Sequence, residues 1–111
     1  MAHERYDCNE GCPVEAALEV IGGKWKSIIL YHLQHETLRF NALKRVMPGI
    51  TQRMLTKQLR ELEADELIIR KVYAEVPPKV EYSMTDYGKT LEPVLLALQN
   101  WGIGHMERER L

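Results

Sequence analysis

The chain has 111 residues, with 15 Lys+Arg against 16 Asp+Glu and a formal net charge of -1. This length makes one domain, able to bury a core but close to the size at which a second subunit often completes it. A hydrophobic content of 45% excludes a disordered chain, and the longest apolar run, Ile28-Ile29-Leu30-Tyr31, falls far short of the ~20 residues of a membrane span.

The polar, acidic start MAHERYDCNEGC is not a signal peptide, so the expected location is the cytoplasm, with thiols reduced. Residues 1–12 read as a mobile N-terminal tail. Pro13 with Val14, Ala17, Leu18 and Ile21 has helical spacing, and Gly22-Gly23 ends it. A second helix is predicted over 24–35, with Trp25, Ile28, Ile29, His32 and Leu33 inward. TLRF is a short extended link; Asn41 then suits an N-cap, with Ala42, Leu43 and Val46 on a short helix behind it. After the Pro48-Gly49 turn, Thr51 caps a longer helix on which Leu55, Leu59 and Leu62 form a buried stripe flanked by Met54 and Gln58. LIIRKVYAEV and KVEYSMT read as the strands of a hairpin turned by VPPK, and Val80, Tyr82 and Met84 alternate with Glu81, Ser83 and Thr85. Thr85 or Asp86 opens a C-terminal helical region with an apolar stripe of Leu91, Val94, Leu95, Leu98 and Trp101, kinked at Pro93. The fold class is mainly α with a small β-hairpin: a winged helix-turn-helix with an extra helix at each end. Residues 39–85 form its helix-turn-helix core and wing, and 86–111 a dimerisation helix.

Charge is segregated along this order. From Arg39 to Arg60 the chain carries Arg39, Lys44, Arg45, Arg53, Lys57 and Arg60 and no carboxylate, and Glu61, Glu63, Asp65 and Glu66 follow at once. At 100° per residue, Arg53, Thr56, Lys57 and Arg60 share the side opposite the leucine stripe, with Gln52 near the start. An isolated basic stripe is more often a solvated face. Here it follows a short helix and a tight turn, which is the arrangement of a DNA reader. Thr51, Gln52 and Arg53 in the first turn can reach base edges, an Arg pairing with guanine and a Gln with adenine. Lys57 and Arg60 suit phosphates, where a carboxylate would be repelled. Arg39, and Lys79 beside Pro77-Pro78 at the hairpin tip, are secondary contacts; the two prolines read equally well as a rigid turn.

The segments CPVEAALEVIGGKWKSIILYHL, RFNALKRVMPGITQRMLTKQLRELEADELI and VYAEVPPKVEYSMTDYGKTL together resemble the HxlR family of bacterial transcription regulators, from Cys12 to about Trp101-Gly102. GGKW, RFN, ITQRMLTKQLRELE and PPKVEYSMT stand in the family's order. The resemblance implies a homodimeric winged-helix protein that binds inverted repeats at promoters, mostly as a repressor and sometimes as an activator. Residues 51–60 would be the recognition helix and 75–80 the wing tip.

Cys8 and Cys12 are the only cysteines. A zinc site is not expected, because Cys-x3-Cys has no second pair, and no cofactor is implied. Pro13 suits the first helical position, so Cys12 caps the first helix, where the dipole favours thiolate and Glu15 opposes it. In several HxlR-type regulators a cysteine at this place senses quinones, aldehydes or oxidants, and in many others it has no such role. Cys12 as a sensor, with Cys8 as resolving thiol, and Cys12 as a bystander both stay open.

The C-terminal stripe could pack on its own domain. Because Leu55, Leu59, Ile28, Ile29 and Val46 already fill the core, it reads instead as a subunit interface. A thiol enzyme is the rival class, and it lacks a nucleophile-base-orienter set and a glycine-rich phosphate loop. A protein-binding winged helix is the second rival, separated from a DNA reader by salt-sensitive duplex binding.

Overall fold

A computed structural model describes residues 11–110. The element order is α1 (Pro13–Ile21), α2 (Lys26–Leu33), β1 (Leu38–Arg39), α3 (Phe40–Val46), α4 (Gln52–Ala64), β2 (Ile68–Tyr73), β3 (Lys79–Met84), α5 (Asp86–Lys89) and α6 (Glu92–Glu109). This is the expected winged helix-turn-helix. The predicted tail 1–12 falls mostly outside the described residues, and Cys8 and His3 lie there.

Side-chain caps place two of the six described helices, and Pro13 marks the start of another. Cys12 is the N-cap of α1 ahead of Pro13, and its carbonyl accepts from the Ala16 N–H at 2.9 Å. Thr51 caps α4 by accepting from the Met54 N–H at 3.0 Å, and Thr85 caps α5 by accepting from the Gly88 N–H at 2.8 Å. Several predicted bounds shift. The second helix runs over Lys26–Leu33 rather than 24–35, because Gly23, at φ 83°, still belongs to the turn and Trp25 becomes the N-cap. Asn41 is not a cap. Arg39 is held extended by its pairing with Glu81, so α3 begins directly after it. The first hairpin strand stops at Tyr73 instead of Val76, and residues 74–78 make the turn. Pro93 does not kink a helix. It occupies the first turn of α6, where no N–H donor is needed.

The hairpin is two-thirds of a three-stranded antiparallel sheet of order β1-β3-β2. Leu38 pairs with Tyr82, Ile68 with Met84, and Lys71 with Glu81. Tyr82 and Met84 face a core built from Ile29, Leu30, Leu33, Leu43, Met47, Leu55, Leu59, Leu62, Leu67 and Ile68. Two residues expected in that core are elsewhere. Val46 points outward because Leu43 of α3 and Met47, the residue that ends it, take the inner side. Ile28 is 38% exposed, because α2 buries Ile29, Leu30 and Leu33 instead.

The end of α4 is a complete Schellman turn. The Leu67 N–H donates to the Leu62 carbonyl at 3.0 Å and the Glu66 N–H to the Glu63 carbonyl at 2.9 Å, with Leu62 and Leu67 both buried. The left-handed residue is Glu66, at φ 63°, where glycine is the unstrained choice. Glu66→Gly is expected to stabilise the fold by about 0.5–1 kcal/mol, read as a Tm roughly 2–5 °C higher in thermal unfolding. An unchanged or lower Tm would mean that the Glu66 side chain supplies an interaction of its own.

Candidate nucleic-acid interface

The face of α4 away from the leucine stripe is open to solvent. Thr51, Gln52, Arg53, Thr56, Lys57 and Arg60 line one shallow depression, together with Met54 and Glu61. Leu55, Leu59 and Leu62 anchor the opposite side of the helix, so the register of the basic side chains is set by the core beneath them. Arg53, Lys57 and Arg60 are exposed. Thr56 donates its hydroxyl proton to the Gln52 carbonyl at 2.9 Å, which leaves its oxygen as an acceptor.

The other two expected contacts lie on a second depression, where β1 and the start of α3 meet the wing. It is lined by Arg39, Asn41, Arg45, Lys79 and Glu81, among others. Lys79 is less free than the sequence implies. Its ammonium stands 3.5 Å from the Glu81 carboxylate and 4.7 Å above the Tyr73 ring, with Lys71 at 4.8 Å over the same ring. Tyr73 donates its hydroxyl to Glu81 at 2.9 Å. That bond, helped by Lys79 and Arg39, holds the Glu81 carboxyl below its ordinary value. Lys71 and Arg45 were not expected as site residues. Lys71 shares the outward parity of Tyr73 in β2 and pairs with Glu81 across the sheet, a signal the period-2 pattern contained.

The terminal helices present a different surface. Val14 (67% exposed) and Leu18 of α1 line a depression with Val94 and Leu98 of α6. Leu98 also borders the neighbouring groove, where Ile28 and Tyr31 of α2 face Ile103 and Met106. Trp101 is 72% exposed and stacks on His105 at 5.1 Å. The expected interface stripe divides here. Leu95, only 2% exposed, belongs to the protomer's own core, and Leu91 packs against that core half-buried, so neither is on the open side of α6. Val94, Leu98 and Trp101 are.

Among the described residues no three His, Cys, Asp or Glu side chains gather as a metal site, and no helix is long and apolar enough to cross a membrane. A model of the HxlR-like helix-turn-helix family matches residues 20–110. The chain belongs to the HxlR-like helix-turn-helix family. Among its relatives is an HTH-type transcriptional regulator of Bacillus subtilis (strain 168), YybR. It is 60% identical over 97 residues, which are 87% of this chain and 78% of that protein. Two solved structures of the redox regulator HypR are similar to this chain over most of its length. The oxidised form is 59% identical with a TM-score of 0.81, covering 84% of this chain and 96% of the other. The reduced form is 55% identical with a TM-score of 0.84, covering 88% and 97%. This HxlR-like chain is therefore a transcriptional regulator.

Proposed function

We propose that this HxlR-like regulator binds double-stranded DNA as a homodimer, reading promoter inverted repeats and acting as a repressor. The observation that carries this reading is the α4 face, where Gln52, Arg53, Lys57 and Arg60 are solvent-exposed and aligned by a leucine stripe behind them. Arg53 and Gln52 are assigned to bases, Lys57 and Arg60 to phosphates, and Arg39 and Lys79 to backbone contacts made by β1 and the wing. The exposed apolar side chains of α1 and α6, Val14, Leu18, Val94, Leu98 and Trp101, are assigned to the second subunit.

A thiol switch is the second reading, and two observations favour it. Cys12 caps α1, the helix whose apolar side belongs to the proposed dimer surface. HypR, at 55–59% identity, is a redox regulator. The chain has no cysteine beyond Cys8 and Cys12. A disulfide at Cys12 therefore joins it to Cys8, to a cysteine of a second copy, or to a small thiol, and none of these involves the basic helix directly. Modification would act by moving α1 against α6 and so changing the spacing of the two recognition helices. An oxidant or electrophile such as a quinone is the matching effector.

The test is binding of the reduced protein to the DNA flanking its own gene across a salt series, repeated after diamide. Specific binding with a steep salt slope is expected, since each phosphate neutralised contributes about -0.9 to the slope. Absence of salt-sensitive duplex binding would overturn the DNA reading. For the switch, diamide is expected to change binding by the parent and not by Cys12→Ser. An identical response from both would leave a DNA reader without this switch.

A further inference from the structure

The acid-free run ends at Glu61, which lies on the wall of the same depression as Arg53, Lys57 and Arg60. It stands one turn beyond Lys57 on the same helix, and its side chain is 41% exposed. On the proposed DNA-binding reading, an unneutralised carboxylate there would face phosphate across a short gap. The structure supplies a counter-ion. Lys26, the first residue of α2, reaches across to α4 and places its Nζ 2.7 Å from a carboxylate oxygen of Glu61. The lysine side chain is only 12% exposed, so its charge is directed at Glu61 rather than at solvent. The Lys26 hydrogen bond, with Lys57 adding a smaller attraction, holds the Glu61 carboxyl below its ordinary value. At neutral pH Glu61 therefore carries its negative charge, and the 2.7 Å contact with Lys26 is what answers it.

We infer that Lys26 is a positioning residue for DNA recognition: it touches no DNA, but it cancels the Glu61 charge so that the basic face of α4 presents no net repulsion to phosphate. The pair also ties α2 to α4. The shielding role is distinguishable from a purely structural one, because the two partners of a structural bridge are interchangeable in effect and the two partners here are not. Removing Lys26 exposes a repulsive charge; removing Glu61 removes it.

The inference rests on the DNA reading, and the experiment separates the two. Affinity for a fixed duplex is measured at one low salt concentration for the parent, Lys26→Met, Lys26→Arg, Glu61→Gln and the Lys26→Met/Glu61→Gln double variant, with thermal unfolding recorded for each. Lys26→Met is expected to bind about tenfold more weakly, the scale of one uncompensated like charge at an interface. Lys26→Arg is expected to stay close to the parent, Glu61→Gln to bind at least as tightly as the parent, and the double variant to regain the loss. A double variant as weak as Lys26→Met would make Lys26 a direct phosphate contact. Glu61→Gln as weak as Lys26→Met would make the pair a structural bridge. Lys26→Met binding like the parent would show that Glu61 is not felt by DNA. Each of these overturns the shielding role while the parent's binding still supports the DNA reading. A parent that shows no salt-sensitive binding overturns both.

Discussion

Gly88→Ala is expected to lower the unfolding temperature by roughly 10–15 °C, corresponding to about 2–3 kcal/mol of overpacking. Gly88 is buried in α5, and a Cβ built on it runs into the carbonyl oxygen of Leu67. That oxygen is already committed, accepting from the Thr85 N–H at 3.1 Å and from the Thr85 hydroxyl at 3.2 Å. Leu67 is also the residue that closes the Schellman turn of α4. The added methyl can be accommodated only by drawing α5 away from the α4–β2 joint, which loosens both the wing and the start of α6. Thermal unfolding followed by circular dichroism at fixed protein concentration checks this. A Tm within about 2 °C of the parent would mean that the joint yields at little cost, and that the glycine is not required by close approach.

Arg53→Ala is expected to reduce the preference for operator over scrambled duplex by about 10- to 100-fold, the 1–3 kcal/mol carried by one bidentate base contact. Arg53 is exposed in the first turn of α4, one residue past Gln52 and on the side of Lys57 and Arg60. The N-terminal end of a recognition helix is the part that enters the major groove. Truncating Lys57 should by contrast weaken both duplexes alike and reduce the salt slope by about 1. Competition binding with the two duplexes measures the ratio directly. If Arg53→Ala keeps the parent's ratio, the base contact proposed for Arg53 belongs to another residue.

The parts of this molecule that could be read from its residues are those set by local chemistry. Thr51 and Thr85 cap helices because each places a hydroxyl three residues before an unpaired N–H. Leu55, Leu59 and Leu62 declare the buried side of α4 by spacing alone, and Tyr82 and Met84 do so for β3. What escapes depends on pairings between distant segments. The extended stretch TLRF is legible and holds β1, but its alignment of Leu38 and Arg39 with Tyr82 and Glu81 is not, because two residues carry no signal for a partner strand. Leu95 and Leu98 belong to one apolar stripe, and periodicity could not decide which would meet the protomer's core and which would stay open. The left-handed Glu66 breaks the usual residue preference for that conformation, so nothing in the sequence marks it. Lys26 and Glu61 sit on different helices, and only the packing of α2 on α4 brings them together. In the wing, Lys79 and Glu81 share one side of β3, so their pairing followed from strand parity, although the reading of Lys79 as an open contact did not use it.

The place of α2 has a mechanical meaning. It packs on α1, on α6 and on α4, and its first residue grips α4 through Glu61. Its own buried residues Ile29, Leu30 and Leu33 fix it in the core. α2 is thus an axle between the surface assigned to the second subunit and the helix assigned to DNA. Such an axle transmits rotation with little loss, because close-packed side chains do not compress. In a two-fold dimer whose half-sites lie about 34 Å apart, each reading helix stands roughly 17 Å from the axis, so a tilt of about 10° carries its side chains about 3 Å. That displacement is the full length of a hydrogen bond, enough to uncouple an arginine from its base while every protomer stays folded.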